Sequence, residues 1–231
     1  MVWWDSTSRK AVNAPLTSAS RWELGVVLHL LIATSNPNKL REIRQLLSGV
    51  PVTLHSLAEL PPVIEPDETG STFLENARLK ARYYSEHLAA ARVPWGASAI
   101  TVAEDSGLVI DALDGEPGVR SARFLGDETT YPERFAEIYR RLAQRPDAGR
   151  DARFICALAA MRDGNPPFET TGIVEGVIAP EPAGTNGFGY DPIFLFPAYQ
   201  RTLADVSDEE KLRVAHRGHA FRGLAEWLGR I

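Results

Sequence analysis

Two rhythms of apolar and polar positions run along this chain. Val26 to Thr34 is a nearly unbroken apolar run, Val-Val-Leu-His-Leu-Leu-Ile-Ala-Thr. Such a run predicts a strand buried on both faces. The spacing then turns helical, with Leu40, Ile43, Leu46 and Leu47 on one face. Between the two lies Ser35-Asn-Pro-Asn-Lys. Asn36 suits the cap of the helix and Pro37 its first position. A second short strand is expected at Val52-Thr-Leu-His, before a Pro- and acid-rich loop from Leu60 to Gly70.

Ser71 is expected to cap the next helix, whose stripe is Leu74, Ala77, Ala81, Tyr84 and Leu88. Ile100-Thr-Val-Ala reads as a strand that ends at Glu104-Asp-Ser-Gly, with Leu108 to Leu113 as its continuation. Phe135, Ile138, Tyr139 and Leu142 predict a further helix. Arg153 to Met161 and Phe168 to Ile178 flank the turn Asp163-Gly-Asn-Pro-Pro, the pattern of an antiparallel hairpin. Ser207-Asp-Glu-Glu has the wording of a capping box. Ala220, Leu224, Trp227 and Leu228 mark a last helix. The sum is a mixed α/β protein with a long mixed sheet. One domain is expected over 25–231. Residues 1–24, with Trp3, Trp4 and Trp22 but no sustained period, read as a poorly ordered extension.

Composition narrows the function. The chain has 231 residues, 44% of them hydrophobic, enough for one sizeable core. Its formal net charge of −5 argues against a general nucleic-acid binder. It leaves room for one small anionic ligand, because local charge decides a site. No apolar run approaches a membrane span, and no secretory leader is apparent. The single cysteine, Cys156, permits no intramolecular disulfide, which points to a cytoplasmic protein. Its apolar neighbours mark it as a core residue.

Five segments have chemistry in them. Thr34-Ser-Asn-Pro-Asn-Lys39 joins a buried strand to a helix start, where free N–H groups and the dipole favour phosphate. An ordinary capped helix start is the plainer reading. Glu68 in the loop and Glu104-Asp105 on the strand offer the carboxylates that magnesium takes alongside water and phosphate. Asn76 and Lys80 share a helix face beside the core. Gly184-Thr-Asn-Gly-Phe-Gly-Tyr-Asp lets backbone approach a planar ligand. There Phe188 can stack on a base, and Asp191 either accepts from it or fixes the loop. Near the end, Lys211, His216 and Arg217 are donors suited to a purine with a 6-oxo group. His219 is assigned a surface or cap role.

Taken in order, these segments carry a resemblance. The stretches are Leu31-Ile-Ala-Thr-Ser-Asn-Pro-Asn-Lys, Glu68-Thr-Gly-Ser-Thr-Phe-Leu-Glu-Asn-Ala-Arg-Leu-Lys-Ala and Ala103-Glu-Asp-Ser-Gly-Leu. They continue with Gly115-Glu-Pro-Gly-Val-Arg-Ser-Ala-Arg-Phe, Asn186-Gly-Phe-Gly-Tyr-Asp-Pro-Ile-Phe and Glu210-Lys…His216-Arg-Gly-His-Ala. The chain resembles the inosine/xanthosine triphosphate pyrophosphatase family, the Ham1-like or ITPase family. The resemblance implies a two-lobed α/β fold with a central substrate cleft, magnesium dependence and a homodimer. It implies cleavage of non-standard purine triphosphates between the α and β phosphates. Carried over, Thr34, Ser35, Asn36, Pro37, Asn38 and Lys39 would hold the triphosphate. Glu68 would bind magnesium. Asp105 would activate water and touch the metal, and Lys80 would assist at the phosphates. Ser106, Phe188, Gly189, Tyr190, Asp191, Lys211, His216 and Arg217 would grip the nucleoside. Asn38 stands where the family often has Gly, and Ala215 where it often has Ser. A related pyrophosphatase of other nucleotides and a non-catalytic nucleotide-binding module are the alternatives.

Overall fold

A parallel β-α-β unit opens the domain. β1 (Leu28–Ile32) and β2 (Val52–Ser56) pair in parallel, and α1 (Pro37–Leu46) connects them. The computed structural model describes residues 27–162 and 165–231. The expected extension, residues 1–24, lies outside the described residues, as does Asp163-Gly164 of the hairpin turn. α1 begins as its sequence requires: the Asn36 side chain accepts from the Asn38 and Lys39 N–H groups, and Pro37 fills the first turn.

α2 (Phe73–Ala91) begins one residue later than its sequence reading. Thr72, not Ser71, is the cap. Its hydroxyl accepts from the Glu75 N–H, and the Glu75 carboxylate accepts from the Thr72 N–H. A capping box needs its acid three positions on, which Thr72 has and Ser71 lacks. Ser71 donates its hydroxyl to the same carboxylate instead.

The remaining elements are β3 (Ile100–Ile110), α3 (Tyr131–Ala143), β4 (Asp151–Arg162), β5 (Asn165–Ile178), β6 (Phe194–Phe196), β7 (Arg201–Thr202), α4 (Asp208–Val214) and α5 (His216–Leu228). The sheet runs β2-β1-β3-β4-β5-β6-β7, parallel up to β3 and antiparallel from there. Asn165-Pro-Pro, read as turn, starts β5. Away from β4 that strand pairs, among the described residues, only at Val177 and Ile178, so the prolines face no second ladder there.

β3 does not end at Glu104. It passes through Glu104-Asp-Ser-Gly to Ile110, paired with β4 from Thr101–Met161 to Ile110–Ala152. What ends is its other neighbour, since β1 pairs only Ile100 to Val102. After the bond from the Ala33 N–H to the Val102 carbonyl (2.8 Å), that edge has its next partner at Leu108, whose N–H donates to the Ser121 hydroxyl. The polar cluster therefore marks where the sheet loses a strand.

Three apolar clusters flank this break. On one face of the parallel end, Leu30, Ile43, Val102, Cys156 and Leu224 pack together; on the other, Leu31, Ala77, Tyr84, Ala103 and Ala159. Past the break, Leu108, Ile110, Phe135, Ile138 and Phe194 form a third cluster under α3. These are the two lobes, with β3 and β4 running through both. Cys156 is fully buried, as its neighbours foretold. Among the described residues no helix is long and apolar enough to cross a membrane.

Candidate active site

A cavity of about 630 Å³ lies along the open edge of β3. Strand alternation sends Glu104 and Ser106 to the α5 face and Asp105 to the α2 face. At the edge both sets reach the same cavity.

On the α2 side, Asp105 accepts from Asn76 Nδ2 (3.1 Å) and Lys80 Nζ (3.4 Å). The helical spacing of Asn76 and Lys80 places both on this carboxylate. Lys80 also donates to Glu68 Oε1 at 2.6 Å, and Arg123 donates to Glu68 Oε2 at 2.7 Å. Burial raises the Asp105 carboxyl; Lys80 opposes this, the Glu68 charge adds to it, and the net shift is upward. Burial would lower the Lys80 ammonium, but Asp105 and Glu68 outweigh it and raise it.

On the α5 side the charges are denser. Arg217 Nε donates to Glu104 Oε1 (3.1 Å), and its terminal nitrogens donate to Glu42 Oε2 (2.6 Å) and Ser106 Oγ (3.0 Å). Lys211 donates to Glu42 Oε1 (2.7 Å) and Asp191 Oδ2 (2.6 Å). Lys39 lies 3.2 Å from Glu104 Oε1, and the Cys156 thiol donates to Glu104 Oε2 at 3.2 Å. Burial alone would raise the Glu104 carboxyl. Arg217, Lys39 and Lys80 overcome it and hold Glu104 well below the ordinary carboxylate range.

The phosphate cradle differs from its sequence reading in one respect. The N–H groups of Asn38 and Lys39 are not free, because the Asn36 side chain caps both. Pro37 and Asn38 lie inside α1 and do not line the cavity; Thr34, Ser35, Asn36 and Lys39 do. Donors that remain on this segment include the Thr34 and Ser35 hydroxyls, the Asn36 side-chain amide and the Lys39 ammonium. Ser35 donates to Glu65 at 3.2 Å.

At the other end Phe188 lies under two cations, with Lys211 Nζ 4.8 Å and Arg217 Cζ 5.6 Å from its ring centre. Asp191 fixes this loop: it accepts from the Phe188 N–H at 2.8 Å and from Lys211. Gly187 sits at φ +71°, and a Cβ there would lie 2.2 Å from Asp191 Oδ2. Gly189 lines the cavity. Tyr190 touches it too, but belongs to the apolar core, with its hydroxyl on the Ser121 carbonyl at 2.9 Å. His216 stacks on Phe154 at 4.8 Å, and burial holds its imidazole neutral, well below the usual histidine range. Its Nδ1 is buried without a hydrogen-bond partner among the described residues. His219 is exposed, as expected.

Sequence reasoning missed Glu42 and Arg123. Glu42 is an acid beside the apolar stripe of α1, three residues from Lys39; that adjacency was the available signal. Arg123 lay in a stretch noted only for its wording, Gly115 to Phe124. Among the described residues no group of three or more His, Cys, Asp or Glu side chains is arranged to hold a metal ion.

The model of the Ham1 family matches residues 30–227. A dITP/XTP pyrophosphatase of Halalkalibacterium halodurans is 39% identical over 198 residues, covering 86% of this chain and 97% of that protein. A dITP/XTP pyrophosphatase of an Exiguobacterium species is 41% identical over 197 residues, covering 85% and 95%. The solved structure of a HAM1 protein from Coxiella burnetii superposes with a TM-score of 0.78 at 38% identity, covering 89% of this chain and 100% of that one.

Proposed function

The chain belongs to the Ham1 family, and from that premise we propose that it hydrolyses dITP, ITP and XTP to the nucleoside monophosphate and pyrophosphate. One observation carries the reading: a single cavity joins the Thr34–Ser35–Lys39 donors to the Phe188–Lys211–Arg217 group along the strand edge that holds Asp105.

Asp105 is the base. Its raised carboxyl is better matched to taking a proton than an ordinary aspartate. Water gives its proton to Asp105 and its oxygen to the α-phosphorus. The bond from that phosphorus to the bridging oxygen breaks, and pyrophosphate leaves. Lys39 and Lys80 neutralise phosphoryl oxygens as charge moves onto them.

Glu68 and Asp105 would hold magnesium. The Lys80 ammonium already bridges them, so the pair accommodates a shared cation. Magnesium takes few protein carboxylates and completes its shell with phosphates and water. When bound, it neutralises the triphosphate and acidifies water.

Base selection follows from donors that have no acceptor capacity. Two of the three Lys211 N–H groups are committed to Glu42 and Asp191, leaving one. Arg217 keeps at least one N–H on the nitrogen bound to Glu42. A 6-oxo group accepts from such donors, whereas the 6-amino group of adenine meets them donor to donor. The proposal includes a homodimer in the cytoplasm, where the lone, buried Cys156 suits a reducing medium.

The test is pyrophosphate release from dITP, ITP, XTP, ATP, GTP and dTTP, with and without magnesium. Magnesium-dependent release from the first three, with little from ATP, is expected. Equal turnover of all six removes the role of Lys211 and Arg217 in selection. Tight binding without turnover makes the chain a nucleotide-binding module.

A further inference from the structure

Arg123 is unused by this mechanism, yet it lines the cavity. It ends the helical turn Gly118–Arg123 between β3 and α3. That turn is a firm platform. The Ser121 hydroxyl accepts from the Leu108 N–H (2.9 Å) and donates to the Gly118 carbonyl (2.6 Å). The Ser121 carbonyl accepts from the Tyr190 hydroxyl at 2.9 Å, and the buried Arg134 donates to the Gly126 carbonyl at 3.0 Å. From this platform the Arg123 guanidinium reaches, among the described residues, only Glu68, its carboxylate at 2.7 Å and its backbone carbonyl at 3.1 Å.

Glu68 is thus shared by Arg123 and Lys80. Among the described residues, Arg123 has no partner in common with the Glu42–Glu104 network that fixes the nucleoside end. Its side chain is 37% exposed, against 2% for Arg217. A guanidinium at the rim, shared with the lysine of the phosphate end, faces the charged tail of a ligand rather than its base. The fork also matches paired phosphoryl oxygens better than an ammonium does.

We propose that Arg123 is a substrate-contact residue for the outer phosphates: it rests on Glu68 in the free protein and passes to β- and γ-phosphate oxygens, holding the pyrophosphate as it departs. This rests on the pyrophosphatase reading above. The passage is an exchange of anionic partners, with no covalent change at Arg123.

The test is calorimetric binding of inorganic pyrophosphate and, separately, of deoxyinosine monophosphate, at saturating magnesium. The proteins are the wild type, Arg123→Gln and Arg123→Lys. Arg123→Gln is expected to weaken pyrophosphate binding roughly tenfold or more, the scale of a charge-assisted hydrogen bond, and to leave the monophosphate within about twofold. Arg123→Lys is expected to recover part of the loss. Equal weakening of both ligands makes Arg123 a structural residue and overturns the proposal. A shift confined to the magnesium midpoint, with pyrophosphate affinity restored at saturation, overturns it in favour of a role in placing Glu68. Unchanged pyrophosphate affinity, or none in the wild type, also overturns it. Release of pyrophosphate from dITP by the wild type is scored independently, so failure here leaves the catalytic reading standing.

Discussion

Glu104 and Asp105 are neighbours on β3, 4% and 5% exposed, and their carboxyls are shifted in opposite directions. Burial pushes both upward. Glu104 faces α5, where Arg217 and Lys39 close on it and Cys156 adds a thiol donor. Asp105 faces α2, where the cation in contact with it, Lys80, is shared with Glu68. The supply of cations, not the depth of burial, decides which carboxyl stays ionised. Paired acids pushed apart in this way divide the labour of a site. Glu104 orders the cations of the nucleoside end, and Asp105 keeps the affinity for a proton that a base needs.

The sharpest way to break the comparison is Asp105→Asn. Turnover is expected to fall roughly 10²–10⁴-fold, with nucleotide binding little changed. The same variant should be more stable. A carboxyl whose folded pKa is raised costs stability once pH exceeds its unfolded value, and asparagine removes that cost. A gain of about 1 kcal/mol, or a Tm higher by about 2–4 °C, is the expected size. Turnover near the wild-type level would remove Asp105 from the role of base.

Glu104→Gln should do the reverse to stability. It leaves Lys39 without its carboxylate and Arg217 with Glu42 alone, and breaking a buried pair costs about 3 kcal/mol, measured by urea unfolding at neutral pH. The sign in pH follows from the lowered carboxyl. Its contribution is complete above the unfolded glutamate value of about 4.3 and is lost as pH falls through the lower folded value. The gap between wild type and Glu104→Gln should therefore close in acid. A gap that does not depend on pH would mean the ion pairs are not its source.

Two smaller effects sharpen the picture. Lys39→Ala should raise KM roughly tenfold, the loss of one charge-assisted contact; an unchanged KM would empty the phosphate cradle of its cation. The acid limb of kcat/KM, which reports the free enzyme, should lie above the pH at which an ordinary aspartate titrates. A limb at the ordinary position would place the essential base elsewhere.

Much of this was legible in the sequence, for identifiable reasons. Asn36-Pro37 and Ser207-Asp-Glu-Glu announce their helix starts because capping is local chemistry. Asn76 and Lys80 could be placed together because helical spacing is fixed. The break at Glu104 was misread because strand pairing is non-local: nothing in Glu104-Asp-Ser-Gly says that β4 continues beside it while β1 stops. Glu42 escaped for the same reason, since its partners Lys211 and Arg217 lie far along the chain. The engagement of Arg217 by Glu42, Glu104 and Ser106 was likewise invisible until the lobes were packed.

The most direct test of the division between the two acids is a carbon-detected NMR titration of the Asp105 and Glu104 side-chain carboxyls in the free enzyme. The account predicts that Asp105 takes up its proton above the ordinary aspartate range, while Glu104 remains ionised as far into acid as the protein stays folded. Glu104 protonating first, or both titrating together, would contradict it.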